Sequence, residues 1–125
     1  MKILIVEDEE VLSKVLREKF ENEGFETEIA TDGEMVMDMV KKTKPDLVLL
    51  DLLLPKKLGL EVLKEMKLDA EVKDVKVLVL SNLDDDQDIK TALSLGAVDY
   101  FVKTQHPLKE IVEKAKGHLL ASGVK

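Results

Sequence analysis

Five residues of this chain have the types and spacing to handle a phosphoryl group: Glu7, Asp8, Asp51, Ser81 and Lys103. Each stands just after a short apolar run. Glu7 and Asp8 follow residues 3–6, Asp51 follows 47–50, Ser81 follows 77–80, and Lys103 follows 100–102. Three carboxylates brought together repel one another if all are ionised and unpaired. A hard divalent cation with oxygen ligands resolves that conflict, and Mg²⁺ is the usual ion in phosphate chemistry. Lys103 adds a second positive charge, and Ser81 can donate a hydrogen bond. Such a set could neutralise three equatorial phosphoryl oxygens while a carboxylate attacks phosphorus.

Taken singly, these residues have plainer readings. Glu7 and Asp8 could be acidic residues at the start of a helix, where the dipole favours them. Ser81, with Asn82-Leu83-Asp84 behind it, loosely fits a helix cap. A lone Lys103 would be an ordinary solvated lysine. Asp51 is harder to dismiss, because it ends an apolar run and is followed by Leu52-Leu53-Leu54-Pro55; a casual surface charge does not sit there. The signal lies in all five occurring at strand ends in order.

The elements that must position them alternate along the chain. Residues 3–6, 27–30, 47–50, 77–80 and 100–102 read as buried strands. Between them, apolar residues recur at helical spacing: Leu12, Val15, Leu16 and Phe20; Met35, Val36, Met39 and Val40; Val62, Leu63 and Met66; Ile89, Ala92 and Leu93. A last stripe runs through Leu108, Ile111, Val112, Ala115 and Leu119. Asn22-Glu23-Gly24 and Leu95-Gly96 read as helix stops. Five βα units imply an α/β fold with a parallel sheet covered on both faces. Periodicity does not give the strand order. In such sheets ligands bind beyond the carboxyl ends of the strands, where the five residues stand.

Composition sets bounds. The 125 residues suit one domain, 1–125, with 45% apolar and 36% charged residues. A net charge of −7 opposes nonspecific binding to nucleic acid or an anionic membrane surface. The absence of cysteine excludes disulfides, thiol catalysis and cysteine metal sites. The longest apolar run, residues 47–54, is broken by Asp51 and too short to span a bilayer. With no leader pattern at the start, a cytoplasmic location is expected. His106 and His118 are too far apart for a local metal motif and are read as surface residues.

The motifs around these positions resemble the receiver domain of bacterial two-component systems, over essentially the whole chain. They are Ile3-Leu4-Ile5-Val6-Glu7-Asp8-Glu9, Asp46 through Pro55 with Gly59, Val77 through Ser81, and Gly96 through Lys103. The resemblance implies a flavodoxin-like, doubly wound five-stranded parallel sheet of order 2-1-3-4-5 with five helices. It implies that Asp51 is the phosphoacceptor. Asp8 would bind Mg²⁺ (Mn²⁺ as an alternative) directly, Glu7 mainly through water, and Leu53 through its backbone carbonyl. Ser81 and Lys103 would contact phosphoryl oxygens, and Tyr100 would be an aromatic switch that turns inward as Ser81 moves. Implied partners are a histidine kinase or histidine phosphotransfer protein and a downstream protein target. The protein would be a monomer or a phosphorylation-dependent dimer, without direct nucleic-acid or membrane binding.

Two positions depart from the family pattern. Thr104 follows Lys103 where proline is usual, and Asn82 follows Ser81 where a small residue is usual. A non-proline cis bond is costly, so a trans Lys103–Thr104 peptide is expected. The chain end, Ala121-Ser122-Gly123-Val124-Lys125, reads as a short tail without an output domain. The chain then either acts alone or is a receiver cut from a longer protein. Rival readings are weaker. A flavin site would need a Ser/Thr/Gly-rich loop where Glu7-Asp8-Glu9-Glu10 stands. An aspartyl-nucleophile phosphatase would carry a second acid at the position of Leu53. A receiver-like module that is never phosphorylated would not need the intact set.

Overall fold

The apolar runs are covered from both sides, and this decides the sheet. A computed structural model describes residues 1–123. The elements are β1 Lys2–Val6, α1 Glu10–Asn22, β2 Glu26–Ala30, a 3₁₀ turn Gly33–Met35 leading into α2 Val36–Thr43, and β3 Leu47–Leu50. They continue with α3 Gly59–Leu68, β4 Lys76–Ser81, α4 Asp86–Ser94, β5 Asp99–Val102 and α5 Leu108–Gly123. All strand pairs are parallel, in the order β2-β1-β3-β4-β5. This is the flavodoxin-like sheet implied by the resemblance.

Successive strand side chains point to opposite faces, which builds two cores. Ile3, Ile5, Leu47, Leu49, Leu78, Leu80 and Phe101 meet Leu16 and Phe20 of α1 and Ile111, Ala115 and Leu119 of α5. On the other face, Leu4, Val6, Val48, Leu50, Val77 and Val79 meet Val36 and Val40 of α2, Val62, Leu63 and Met66 of α3, and Ala92 of α4.

Gly24 and Gly96 take positive φ values of 92° and 106° just after α1 and α4, as helix-stopping glycines should. Two details differ from the sequence reading. Met35 lies in the 3₁₀ turn and is exposed, because α2 begins only at Val36. Leu93 is exposed, since α4 buries little beyond Ala92. α5 runs through Gly123, past buried Leu119, the last residue of its apolar stripe. Val124 and Lys125 lie outside the described residues.

Candidate functional site

Parallel register brings the strand ends level. Val6 lies beside Leu50, and Leu50 beside Val79. The ladder then reaches one residue further at two points. The Asp51 N–H donates to the Val6 carbonyl at 3.1 Å, and the Lys103 N–H to the Ser81 carbonyl at 2.9 Å. The five residues named from the sequence therefore share one edge.

Three of them are in close contact. The Lys103 ammonium is 2.7 Å from Glu7 Oε1 and 3.1 Å from Asp51 Oδ2. Glu7, Asp8 and Asp51 each offer a carboxylate oxygen, and these lie within 4.8 Å of one another. Glu7 and Asp51 are buried, while Asp8 is exposed. Asp51 is further oriented by its own turn, whose Leu53 N–H donates to Oδ1 at 3.1 Å. Burial pushes the Glu7 carboxyl up, the Lys103 hydrogen bond opposes this, and the Asp51 charge pushes it up again. Burial would lower the Lys103 ammonium, but the hydrogen bond to Glu7 and the Asp51 charge outweigh it, so its pKa is raised. The lysine stays charged and the cluster is short of positive charge.

The donor set fits a hard divalent ion. Oxygens sharing Mg²⁺ are at most about 4.2 Å apart, twice a bond of 2.0–2.1 Å. The three carboxylate oxygens, all within 4.8 Å of one another, gather on that scale.

Ser81 is fully buried, and its Oγ accepts the Leu83 N–H at 3.3 Å. The Tyr100 hydroxyl donates to the Leu83 carbonyl at 2.6 Å, and its ring already packs on the α3/α4-side core. The hydroxyl is satisfied by protein rather than water, as a half-buried tyrosine requires. Burial, and then the Asp88 charge, push its pKa up. Ser81 does not cap α4; Asp85 does, accepting the Gln87 N–H at 2.7 Å. Among the described residues every peptide bond is trans, Lys103–Thr104 included. A turn with the Gln105 N–H on the Val102 carbonyl, 2.9 Å, carries the chain past Lys103.

Both histidines are half-buried and paired, unlike simple surface residues. His106 stands edge-on to Phe101 and contacts Glu110, and His118 contacts Asp99 at 3.0 Å. Sequence reasoning also missed one contributor and one neighbouring turn. Glu9 approaches Lys103 to 3.7 Å, and its N–H donates to Glu7 Oε2 at 3.1 Å. Asp32-Gly33 forms the turn after β2, a dipeptide whose position at the same sheet edge was the available signal.

A doubly wound parallel sheet with an acidic triad and a lysine at its carboxyl edge is the architecture of a receiver. The response regulator receiver domain profile matches residues 3–116, and the chain belongs to this family. Sporulation initiation phosphotransferase F of Bacillus subtilis is 36% identical over 118 residues, covering 94% of this chain and 93% of that protein. DNA-binding response regulator MtrA of Mycobacterium tuberculosis is 35% identical over 118 residues, covering 94% of this chain and 50% of that protein. The chain thus spans about half the length of that relative and of others like it. The Mn(2+)-bound form of response regulator Rcp1 superposes with a TM-score of 0.79 at 31% identity, covering 93% of this chain and 89% of that one.

Proposed function

We propose that the chain is the phosphoacceptor switch of a two-component phosphorelay, receiving a phosphoryl group from a phosphohistidine on Asp51. The carrying observation is the buried, oriented Asp51 carboxylate, 3.1 Å from the Lys103 ammonium and grouped with Glu7 and Asp8. In the transfer, one Asp51 oxygen forms a bond to phosphorus as the phosphorus–nitrogen bond of the donor breaks. The bond's electrons leave with the imidazole nitrogen. Lys103 stays protonated and faces the charge that builds on the phosphoryl oxygens. The Ser81 hydroxyl reaches them by turning outward, which releases the Leu83 N–H.

Asp8, Asp51 and the Leu53 carbonyl would hold Mg²⁺ directly, with Glu7 acting through water. The ion would spread the phosphoryl charge. Mn²⁺ is the alternative, in keeping with the Mn(2+)-bound relative. The protein would promote its own phosphorylation and dephosphorylation rather than turn over a free substrate. Ser81 and Tyr100 then change how a downstream protein is bound. The donor is a histidine kinase or histidine phosphotransfer protein in the cytoplasm. Among the described residues no helix is long and apolar enough to cross a membrane. Residues 1–125 form one receiver domain. The acidic chain itself would not bind DNA; DNA binding belongs to MtrA, a DNA-binding response regulator about twice as long.

The test uses phosphoramidate, which carries the same phosphorus–nitrogen bond. With Mg²⁺ the protein should gain one phosphoryl group by intact mass, and EDTA or Asp51→Asn should abolish it. Undiminished labelling of Asp51→Asn defeats the assignment.

A further inference from the structure

The loop joining β3 to α3 is pressed between two glycines. A Cβ added at Gly59 would stand 2.3 Å from the Asp51 carbonyl oxygen, and one at Gly33 only 1.9 Å from the Lys57 carbonyl oxygen. Gly33 has no positive φ, so close approach alone demands glycine there. Its N–H donates to the Pro55 carbonyl at 3.1 Å, the same oxygen that receives the Lys57 N–H at 2.8 Å. Lys56 between them has a φ of 70°, in the left-handed region, and its ammonium is 3.6 Å from Asp32 Oδ2. Asp32 is itself anchored by the Met35 N–H at 3.0 Å. A strained residue persists where its surroundings over-determine it. Buried Leu52 and Leu54 fix the depth of the loop, but Pro55 and Lys56 are exposed and are held by this neighbouring turn.

We propose that Asp32 and Gly33 are positioning residues of the metal site. They touch neither the ion nor the phosphoryl group. They hold Pro55, Lys56 and Lys57, and so set where the Leu53 carbonyl stands relative to Asp51. The inference rests on the Mg²⁺-binding reading above. Coupling of this kind is reciprocal, so metal binding must also be felt at Gly33.

The experiment is a Mg²⁺ titration of the full chain, followed by calorimetry and amide NMR, with urea midpoints measured alongside. Gly33→Ala should weaken Mg²⁺ binding several-fold, short of the roughly tenfold or more that follows loss of a direct partner of a ligand, and Asp32→Ala, which removes a longer and more exposed contact, should weaken it less. Val40→Ala, a buried deletion in α2, should lower the urea midpoint and leave the affinity unchanged. In the parent, the Gly33 amide should shift with Mg²⁺ while that of Gly24 stays still. Unchanged affinity in both turn variants, or a Gly33 amide that stays still to saturation, overturns the proposal. If Gly33→Ala does not fold, Asp32→Ala and the parent titration decide. A parent that binds no Mg²⁺ overturns the metal reading itself, and the inference with it.

Discussion

Replacing Asp51 with asparagine keeps the side-chain shape, removes a crowded charge, and should stabilise the metal-free protein. Asp51 Oδ2 lies 3.1 Å from Lys103 Nζ, an attraction of about 5 kcal/mol at an effective dielectric of about 20. Its carboxylate also stands within 4.8 Å of oxygens from Glu7 and Asp8, and two full charges no further apart than that repel by at least about 3.5 kcal/mol on the same scale. Asp8 is exposed, so solvent screens its share. Attraction and repulsion therefore nearly cancel. Desolvation of a carboxylate only 4% exposed decides the balance. An asparagine oxygen still accepts the Leu53 N–H. Lys103 keeps Glu7 at 2.7 Å, so no buried charge is left unpaired, and the expected gain is on the order of 1 kcal/mol, roughly 3–6 °C in Tm for a domain of this size. The assay is urea and thermal unfolding near neutral pH in EDTA, repeated with Mg²⁺ at about ten times its Kd. Under the second condition the parent gains about 1.4 kcal/mol by linkage, and Asp51→Asn gains little. A variant less stable than the parent in EDTA refutes the electrostatic reasoning. Equal Mg²⁺ increments would remove Asp51 from the metal site.

The raised pKa of Glu7 means that the folded, metal-free protein holds this proton more tightly than the unfolded chain. Its contribution to stability is full below the ordinary value of 4.5 and is lost as pH rises through the raised value. Glu7→Gln should flatten that part of the pH–stability curve in EDTA, and an unchanged curve counts against it. The phosphorylated state should be long-lived, because half-exposed Leu53 and half-buried Leu83 cannot orient a hydrolytic water. Phosphate loss from the parent as fast as from Leu53→Asn/Leu83→Glu would sink this. Tyr100→Phe removes the hydroxyl bond to the Leu83 carbonyl and should cost about 1 kcal/mol in urea unfolding. The same variant should blunt the amide shifts that beryllofluoride causes between Ser81 and Lys103; a full response would separate Tyr100 from the switch.

The alternation of elements, the parallel class of sheet and the edge where chemistry gathers were legible in the residues alone. Short apolar runs each ending in Asp51, Ser81 or Lys103 carry that information locally. The strand order came only through family resemblance, because crossover helices leave no mark in periodicity. Nor was it legible which face each strand residue serves. With both faces buried, Ile3 and Leu4 are equally apolar, and only the packed helices separate Ile3 toward α1 and α5 from Leu4 toward α2 and α3. Tertiary structure alone decided that Lys103 pairs most closely with Glu7, that Leu83 serves both Ser81 and Tyr100, and that Gly33 bears on Lys57. Such contacts join residues distant in the chain, and their distances depend on how neighbouring loops pack, which residue type and spacing do not encode.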